Sequence, residues 1–104
     1  MDKKAVDVRV LELKGLSVIA DFFIICSGES TTQVRAIAEA IEENFSRKSI
    51  RPIGIEGLKH SHWVLMDYGD IIIHVFEEET RAYYQLEKLW LDAPRIPVEG
   101  KGHN

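Results

Sequence analysis

Residues 63–76 constrain the fold most, because they form a predicted β-hairpin that is apolar on both faces. An antiparallel strand with one solvated face alternates apolar and polar residues. Here Trp63 and Leu65 point to one side, and the residues that alternate with them, Val64 and Met66, point to the other. Both faces of the hairpin therefore require a covering layer.

A turn centred on Tyr68 and Gly69 lets glycine supply the positive φ that tight hairpins need. This register pairs Trp63 with His74 and Leu65 with Ile72, and alternation then defines two faces. The indole face contains Trp63, Leu65, Ile72, His74 and Phe76, and the aliphatic face contains Val64, Met66, Ile71, Ile73 and Val75.

The two faces predict different roles. The aliphatic face is purely hydrocarbon and is expected to be core. The indole face mixes aromatic rings with a histidine, which is the composition of a protein contact, where aromatic residues are enriched and a few anchor residues dominate the energy. The alternative is that a second layer of the same domain covers the indole face, and the pattern alone leaves both open.

Length and composition indicate one soluble globular domain. The chain has 104 residues, of which 45% are hydrophobic and 29% charged, with no apolar run of about twenty residues. We expect no membrane insertion and a cytoplasmic location, because no leader precedes the first strand. The single cysteine, Cys26, lies in an apolar run and is expected to be buried.

The charge pattern argues against RNA as the primary contact. The 13 basic residues are scattered and the formal net charge is −4, whereas nucleic-acid binders concentrate basic residues in a stripe. A mildly acidic domain would instead be attracted to a basic protein.

Periodicity predicts the first four elements. Residues 6–13 alternate and predict a half-exposed strand, and the continuous apolar run at 22–26 predicts a central strand. Ser30 and Gln33 match a capping box, so a helix is expected from there to about Lys48. A short third strand at 53–56 precedes the hairpin.

The acidic residues at 77–79 predict the start of a second helix. Its apolar stripe, expected to face the sheet, consists of Ala82, Tyr83, Leu86, Leu89 and Trp90. The order of elements predicts an α/β sandwich, with a mixed five-stranded sheet and two main helices that cover one face better than the other. The domain is expected at 1–94, followed by a mobile tail at 95–104.

Candidate metal ligands are few. His60 and His62 are spaced to approach one ion from a strand, but no cysteine or spaced carboxylate completes a tetrahedral set. Asp67 and Asp70 flank the turn, where carboxylates either cap turn amides or hold Mg²⁺. We expect no metal, no cofactor and no enzymatic activity.

One candidate anion site remains. Ser27 and Gly28 join a strand to a helix N-terminus, which can hold an anion, although the spacing of a dinucleotide loop and the lysine of a P-loop are missing. A remnant nucleotidyltransferase or nucleotide-binding protein that uses these residues with Asp67 and Asp70 is the alternative function.

Several ordered motifs resemble the ribosomal silencing factor (Iojap-like) family. They lie at residues 21–28, 34–38, 54–57, 63–70, 74–76 and 86–90, so the resemblance covers about 6–94. It implies a non-enzymatic factor that binds large-subunit ribosomal protein fourteen at the surface facing the small subunit, prevents subunit joining and represses translation when nutrients are short. It also implies a nucleotidyltransferase-like topology, but the Asp-x-Asp metal motif of such enzymes is missing here.

The resemblance implies partner contacts in the region that matches residues 56–68, with Trp63 foremost. Together with the hairpin pattern, it predicts eight partner-binding residues, namely Trp63, Leu65, Glu56, Asp67, Tyr68, Leu58, Lys59 and His74. Trp63 is the expected anchor, and Glu56 and Asp67 are expected to meet basic side chains at the rim. Family members begin with a helix where this chain has only residues 1–5, and a homodimer through sheet faces or edges is a further hypothesis.

Overall fold

A computed structural model describes residues 5–90 and 93–97, with the side chains of residues 89 and 90 outside the description. The elements in chain order are β1 (Val6–Glu12), β2 (Phe22–Gly28), α1 (Thr31–Arg47), β3 (Gly54–Glu56), β4 (Trp63–Asp67), β5 (Ile71–Glu77), α2 (Glu78–Tyr84), a 3-10 helix (Leu86–Trp90) and β6 (Arg95–Ile96). The fold is mixed α/β, as predicted.

The described strands form one mixed sheet in the order β3-β4-β5-β2-β1-β6, in which only β2 and β5 run parallel. The prediction of five strands was therefore wrong by one. Arg95 and Ile96 pair with Leu11 and Val10 of β1, although they were expected to begin a mobile tail. A two-residue strand carries no periodicity in its sequence and forms because β1 offers a free edge. Residues 98–104 of the expected tail lie outside the described residues.

The register of the β4–β5 hairpin also differs from the prediction. Trp63 pairs with Phe76 rather than with His74, and Leu65 pairs with His74 rather than with Ile72. Because the shift is an even number of residues, every side chain stays on the face that alternation predicts. The indole face and the aliphatic face therefore keep their predicted members.

The turn explains the shift. Tyr68 N donates to Ile71 O over 2.9 Å, which makes Gly69 and Asp70 the central residues. Gly69 takes a φ of 90°, and Asp67 Oδ1 accepts a hydrogen bond of 2.8 Å from Gly69 N. Glycine thus supplies the positive φ as predicted, but in the first central position of the turn.

Helix α1 begins where the capping box predicts. Ser30 Oγ accepts a hydrogen bond of 3.1 Å from Gln33 N, and the helix ends at Arg47. Its apolar stripe packs on the aliphatic face, and the shared core consists of Val34, Ile37, Ala38, Ile41, Cys26, Val64, Met66, Ile73 and Val75. Burial of each larger side chain contributes about 1.5–3 kcal/mol, so this layer fixes α1 on the sheet.

The predicted second helix is broken in two. Gln85 adopts a left-handed conformation with φ 49° and ψ 51°, which ends α2 before the 3-10 helix begins. The predicted stripe was wrong for Ala82 and Tyr83, which are exposed. Arg81 occupies the sheet-facing position instead, where its guanidinium donates to Ser27 Oγ over 2.8 Å. The side chains of Leu89 and Trp90 lie outside the described residues.

The two main helices lie on opposite faces of the sheet, whereas they were expected to cover one face better than the other. Leu86 of the 3-10 helix packs on the indole face, against a cluster formed by Leu11, Leu13, Ala20, Phe23, Ile25, Ile72, Phe76 and Ala93. Within the described residues, this layer does not extend fully over β3 and β4. There Trp63 and Leu65 are half-buried and Glu56 is exposed, and we call these three residues the open edge.

Among residues 5–90 and 93–97, no helix combines the length and the apolar character that a membrane crossing requires.

Candidate functional site

The indole of Trp63 lies between the core and the surface. One side of its ring stacks on the fully buried ring of Phe76, with centroids 4.8 Å apart and planes at 30°. Tyr84 of α2 flanks the indole, with ring centroids 5.1 Å apart. The indole is therefore supported by two rings of its own domain while part of it stays accessible.

A buried histidine orients the indole. Trp63 Nε1 donates to His74 Nδ1 over 3.1 Å, and because an indole nitrogen can only donate, Nδ1 must accept and the ring proton lies on Nε2. His74 is only 3% exposed, and this burial lowers its pKa to about 4. His74 is one of the eight predicted partner-binding residues, and the structure places its buried side chain behind Trp63.

The neighbours of Trp63 on the open edge come from two strands. Glu56 of the edge strand β3 pairs with Leu65 of β4, so a carboxylate lies beside a half-buried aliphatic side chain. Asp67 lies on the same face by alternation, and its Oδ1 accepts from the turn amide of Gly69. The structure therefore brings Trp63, Leu65 and Glu56 together, with Asp67 further along the strand towards the turn.

Tyr68 lies apart from this group. Its ring packs edge-on against Phe45 of α1, with centroids 4.6 Å apart, so it belongs to the aliphatic face. Its hydroxyl oxygen is buried without a hydrogen-bond partner in the described part of the chain, and this burial, followed by the charge of Glu42, raises its pKa. Of the predicted site residues, Tyr68 is thus separated from Trp63 by the sheet.

Leu58 and Lys59 lie in the loop before β4. Leu58 is half-buried against the aliphatic core, and Lys59 is exposed. Their carbonyl oxygens both accept hydrogen bonds from Arg35 Nη2, at 3.0 and 2.8 Å. Arg35 is not among the predicted site residues, because no sequence pattern connects a helix residue to a loop more than twenty positions away.

Sequence reasoning also missed two tyrosines near the open edge. Tyr84 is 54% exposed and Tyr83 is 81% exposed, with their rings edge-on at 5.0 Å. No signal in the sequence separates these two tyrosines from core residues, because adjacent positions of a helix can share its buried stripe, as Ile37 and Ala38 do in α1. Tyr84 extends the accessible aromatic surface from Trp63 onto α2.

The residues of the alternative nucleotide site do not meet. In the parallel pair of β2 and β5, Gly28 lies opposite Glu77 at one end of the sheet, whereas Asp70 precedes β5 at the other end. Six residues of strand separate the two ends by about 20 Å. Ser27 is buried, and its hydroxyl accepts from Arg81. The four candidate residues therefore do not form one site.

Other reactive groups are also placed in the structure. Cys26 is buried, as predicted, and this burial raises its pKa to about 12. His62 Nδ1 lies 2.7 Å from Glu77 Oε1. No group of three or more potential metal-ligating side chains occurs among the residues that the structure describes.

Comparison with known proteins identifies a family and several relatives that this chain resembles. Residues 1–104 match the family described as "Ribosomal silencing factor during starvation". The protein named "Ribosomal silencing factor RsfS" from Halalkalibacterium halodurans is 50% identical over 99 residues, which cover 95% of this chain and 85% of that protein. The protein of the same name from Bacillus subtilis is 46% identical over 98 residues, covering 94% of this chain and 83% of that protein. A crystal structure of a Bacillus halodurans protein superposes with a TM-score of 0.82 at 44% identity, covering 93% of this chain and 88% of that one.

Proposed function

Because the chain belongs to the ribosomal silencing factor family, we propose that it binds large-subunit ribosomal protein fourteen through the open edge. The bound domain then occupies the surface that faces the small subunit, prevents subunit joining and represses translation. The observation that carries this proposal is the half-buried Trp63, which presents an oriented ring at the part of the sheet that α2 leaves open.

The geometry of Trp63 suits an anchor residue. Interface hot spots are enriched in tryptophan, and an anchor that is already rigid loses little conformational entropy on binding. The stacking on Phe76 and the hydrogen bond to His74 hold the indole before any partner arrives. Leu65 and Tyr84 supply apolar and aromatic area beside it.

The charge at the open edge favours a basic partner. Glu56 is exposed on the edge strand beside Leu65, and the whole chain carries a formal net charge of −4. Complementary charges at an interface rim raise the association rate and the specificity more than the affinity. A basic ribosomal protein would complement the charge of Glu56, and its apolar side chains would pack on Trp63 and Leu65.

The test is co-sedimentation with purified large subunits. Trp63→Ala should weaken binding roughly thirty-fold to several-hundred-fold, because loss of a central interface tryptophan often costs about 2–4 kcal/mol. The matched control is Val18→Ala, which removes an exposed apolar side chain from the β1–β2 loop. Circular dichroism checks that each variant folds, and a folded Trp63→Ala protein with wild-type affinity contradicts the assignment.

A charge variant tests the rim without disturbing the core. Glu56→Lys should slow association with large subunits, and the difference from wild type should shrink as salt is added. Glu39→Lys makes the same change in net charge at an exposed position of α1, and we expect it to associate at the wild-type rate. Equal slowing by both variants would mean that net charge, rather than the open edge, governs association.

The silencing step has its own readout. Wild-type protein should reduce the assembly of complete ribosomes from purified subunits in proportion to the large subunits it occupies. Binding without any reduction in assembly would leave the contact standing and contradict the steric mechanism.

The remaining expectations stay predictions. A nucleotide-binding role has less support, because Ser27 and Gly28 lie about 20 Å from Asp70. The nucleotidyltransferase-like topology, the cytoplasmic location, the lack of a primary RNA contact and the lack of enzymatic activity rest on the resemblance and the composition. A homodimer through the open edge would compete with the ribosomal partner, and light scattering over a range of concentrations distinguishes it from a monomer.

A further inference from the structure

Arg35 of α1 connects the helix layer to the loop that precedes β4. Its Nη2 donates to Leu58 O over 3.0 Å and to Lys59 O over 2.8 Å, and its Nε donates to Ser61 Oγ over 3.3 Å. A planar guanidinium presents several donors in a fixed geometry, which a lysine ammonium cannot reproduce. One side chain therefore holds three acceptors of residues 57–62, which we call the 57–62 loop.

The 57–62 loop adopts a conformation that needs such support. Gly57 has a φ of 88° and Ser61 a φ of 59°, and the left-handed region costs free energy for any residue other than glycine. Ser61 is fully buried, its Oγ donates to Leu58 O over 2.7 Å, and its N donates to Gly57 O over 2.9 Å. The Ser61 hydroxyl and Arg35 Nη2 both donate to the carbonyl oxygen of Leu58.

The position of this loop links it to partner binding. It carries Leu58 and Lys59, which belong to the predicted contact region, and it leads directly into Trp63. A Cβ at Gly57 would lie 2.1 Å from Trp63 O, so the loop packs directly on the backbone of the anchor residue. A change in the loop conformation would therefore displace the start of β4.

We propose that Arg35 is a positioning residue for partner binding, which acts by holding the 57–62 loop in the binding-competent conformation. This inference rests on the proposed function. Without the three hydrogen bonds the loop would sample other conformations. The apparent affinity would then fall in proportion to the fraction of molecules that remain in the competent conformation.

The experiment compares Arg35→Ala, Arg35→Lys and Arg47→Ala. Arg47 is a matched control, because it lies on the same helix and its side chain makes an exposed ion pair with Glu43 over 2.9 Å. Two quantities are measured for each variant, namely the exchange rate of the Ser61 amide hydrogen in the free protein and the affinity for large subunits. Thermal unfolding checks that each variant is folded.

Arg35→Ala should speed Ser61 exchange and weaken binding, each by about ten-fold or more, because the loss of even one charge-assisted hydrogen bond can cost that factor and Arg35 makes three. Arg35→Lys should weaken binding almost as much, because it keeps the charge and loses the planar donors. Arg47→Ala should match wild type in both measurements.

Three results would overturn the inference. Wild-type exchange and affinity in Arg35→Ala would show that the hydrogen bonds do not hold the loop. Full wild-type affinity in Arg35→Lys would show that only the charge matters, as in a direct contact with the partner. If the wild-type chain itself does not bind large subunits, the proposed function fails, and the role of Arg35 in binding fails with it even where Ser61 exchange responds.

Discussion

Trp63 and His74 form a 3.1 Å hydrogen bond between neighbouring strands, although they are not directly opposite one another. Trp63 pairs with Phe76 and Leu65 pairs with His74, so the bond runs along the diagonal of the ladder, a distance that long aromatic side chains can span. A residue accessible at the open edge is thus oriented by one that is almost fully buried.

This bond predicts one tautomer of His74. Because the indole N–H can only donate, Nδ1 must be the unprotonated nitrogen and Nε2 must carry the proton at neutral pH. Nitrogen-15 NMR of the imidazole distinguishes the two forms directly. A spectrum of the Nδ1-protonated form would contradict the hydrogen bond from Trp63 Nε1 to His74 Nδ1.

Burial of His74 predicts a pH-dependent stability. Its pKa is about 4 in the folded protein and 6.5 when unperturbed, so between these values the unfolded chain binds more protons than the folded one. The free energy of unfolding should therefore fall as pH is lowered from about 6.5 to about 4, by up to about 3 kcal/mol. Below pH 4 both states are protonated and this contribution levels off.

Urea unfolding at pH 7 and pH 4.5 measures the effect in wild type and in His74→Asn. Asparagine keeps an acceptor near the position of Nδ1 and removes the titration, so the variant should lose less stability on acidification. Carboxylates contribute equally to both proteins, so the same loss in both would contradict the assigned pKa.

Gly57 predicts a specific loss of stability. Gly57 has a φ of 88°, and a Cβ at this position would lie 2.1 Å from Trp63 O, so there is no room for a side chain. Gly57→Ala should therefore lower the free energy of unfolding by about 2 kcal/mol or more. Gly54→Ala is the control, because nothing lies within 4 Å of a Cβ at that position. Denaturant unfolding should separate the two variants, and equal stabilities would be inconsistent with the loop described for residues 57–62.

Cys26 should be unreactive in the folded protein. It is fully buried, and burial raises its pKa to about 12, so neither access nor thiolate is available to an alkylating reagent. Mass spectrometry should find alkylation at pH 8 only after a denaturant is added. Rapid stoichiometric labelling of the native protein would argue against the packing of β2 beneath α1.

The sequence predicted the features that depend on local patterns. Alternation assigned every hairpin side chain to its face, and the capping box at Ser30 gave the start of α1. The hairpin register was wrong, because it depends on which residues of the turn are central. The break at Gln85 was also missed, because apolar periodicity gives no signal for a single left-handed residue. The burial of Arg81 against Ser27 was missed because it is a tertiary contact.

The candidate site could be predicted only in part, for similar reasons. Trp63 and Leu65 were recognised because their burial pattern is local to one strand. The role of Arg35 depends on contacts with residues 23–26 positions away, and His74 packs against the ring of Phe23, which lies on a strand far away in the sequence. Such contacts leave no periodic signal in a single sequence.

Site-specific cross-linking tests the proposed docking surface most directly. A photoreactive residue at position 56 lies on the exposed edge strand beside Leu65, and a second one at position 18 lies in the β1–β2 loop as a control. Irradiation of complexes with large subunits should join position 56, and not position 18, to large-subunit ribosomal protein fourteen. Cross-links from position 18 alone, or from position 56 only to other components, would contradict docking through the open edge.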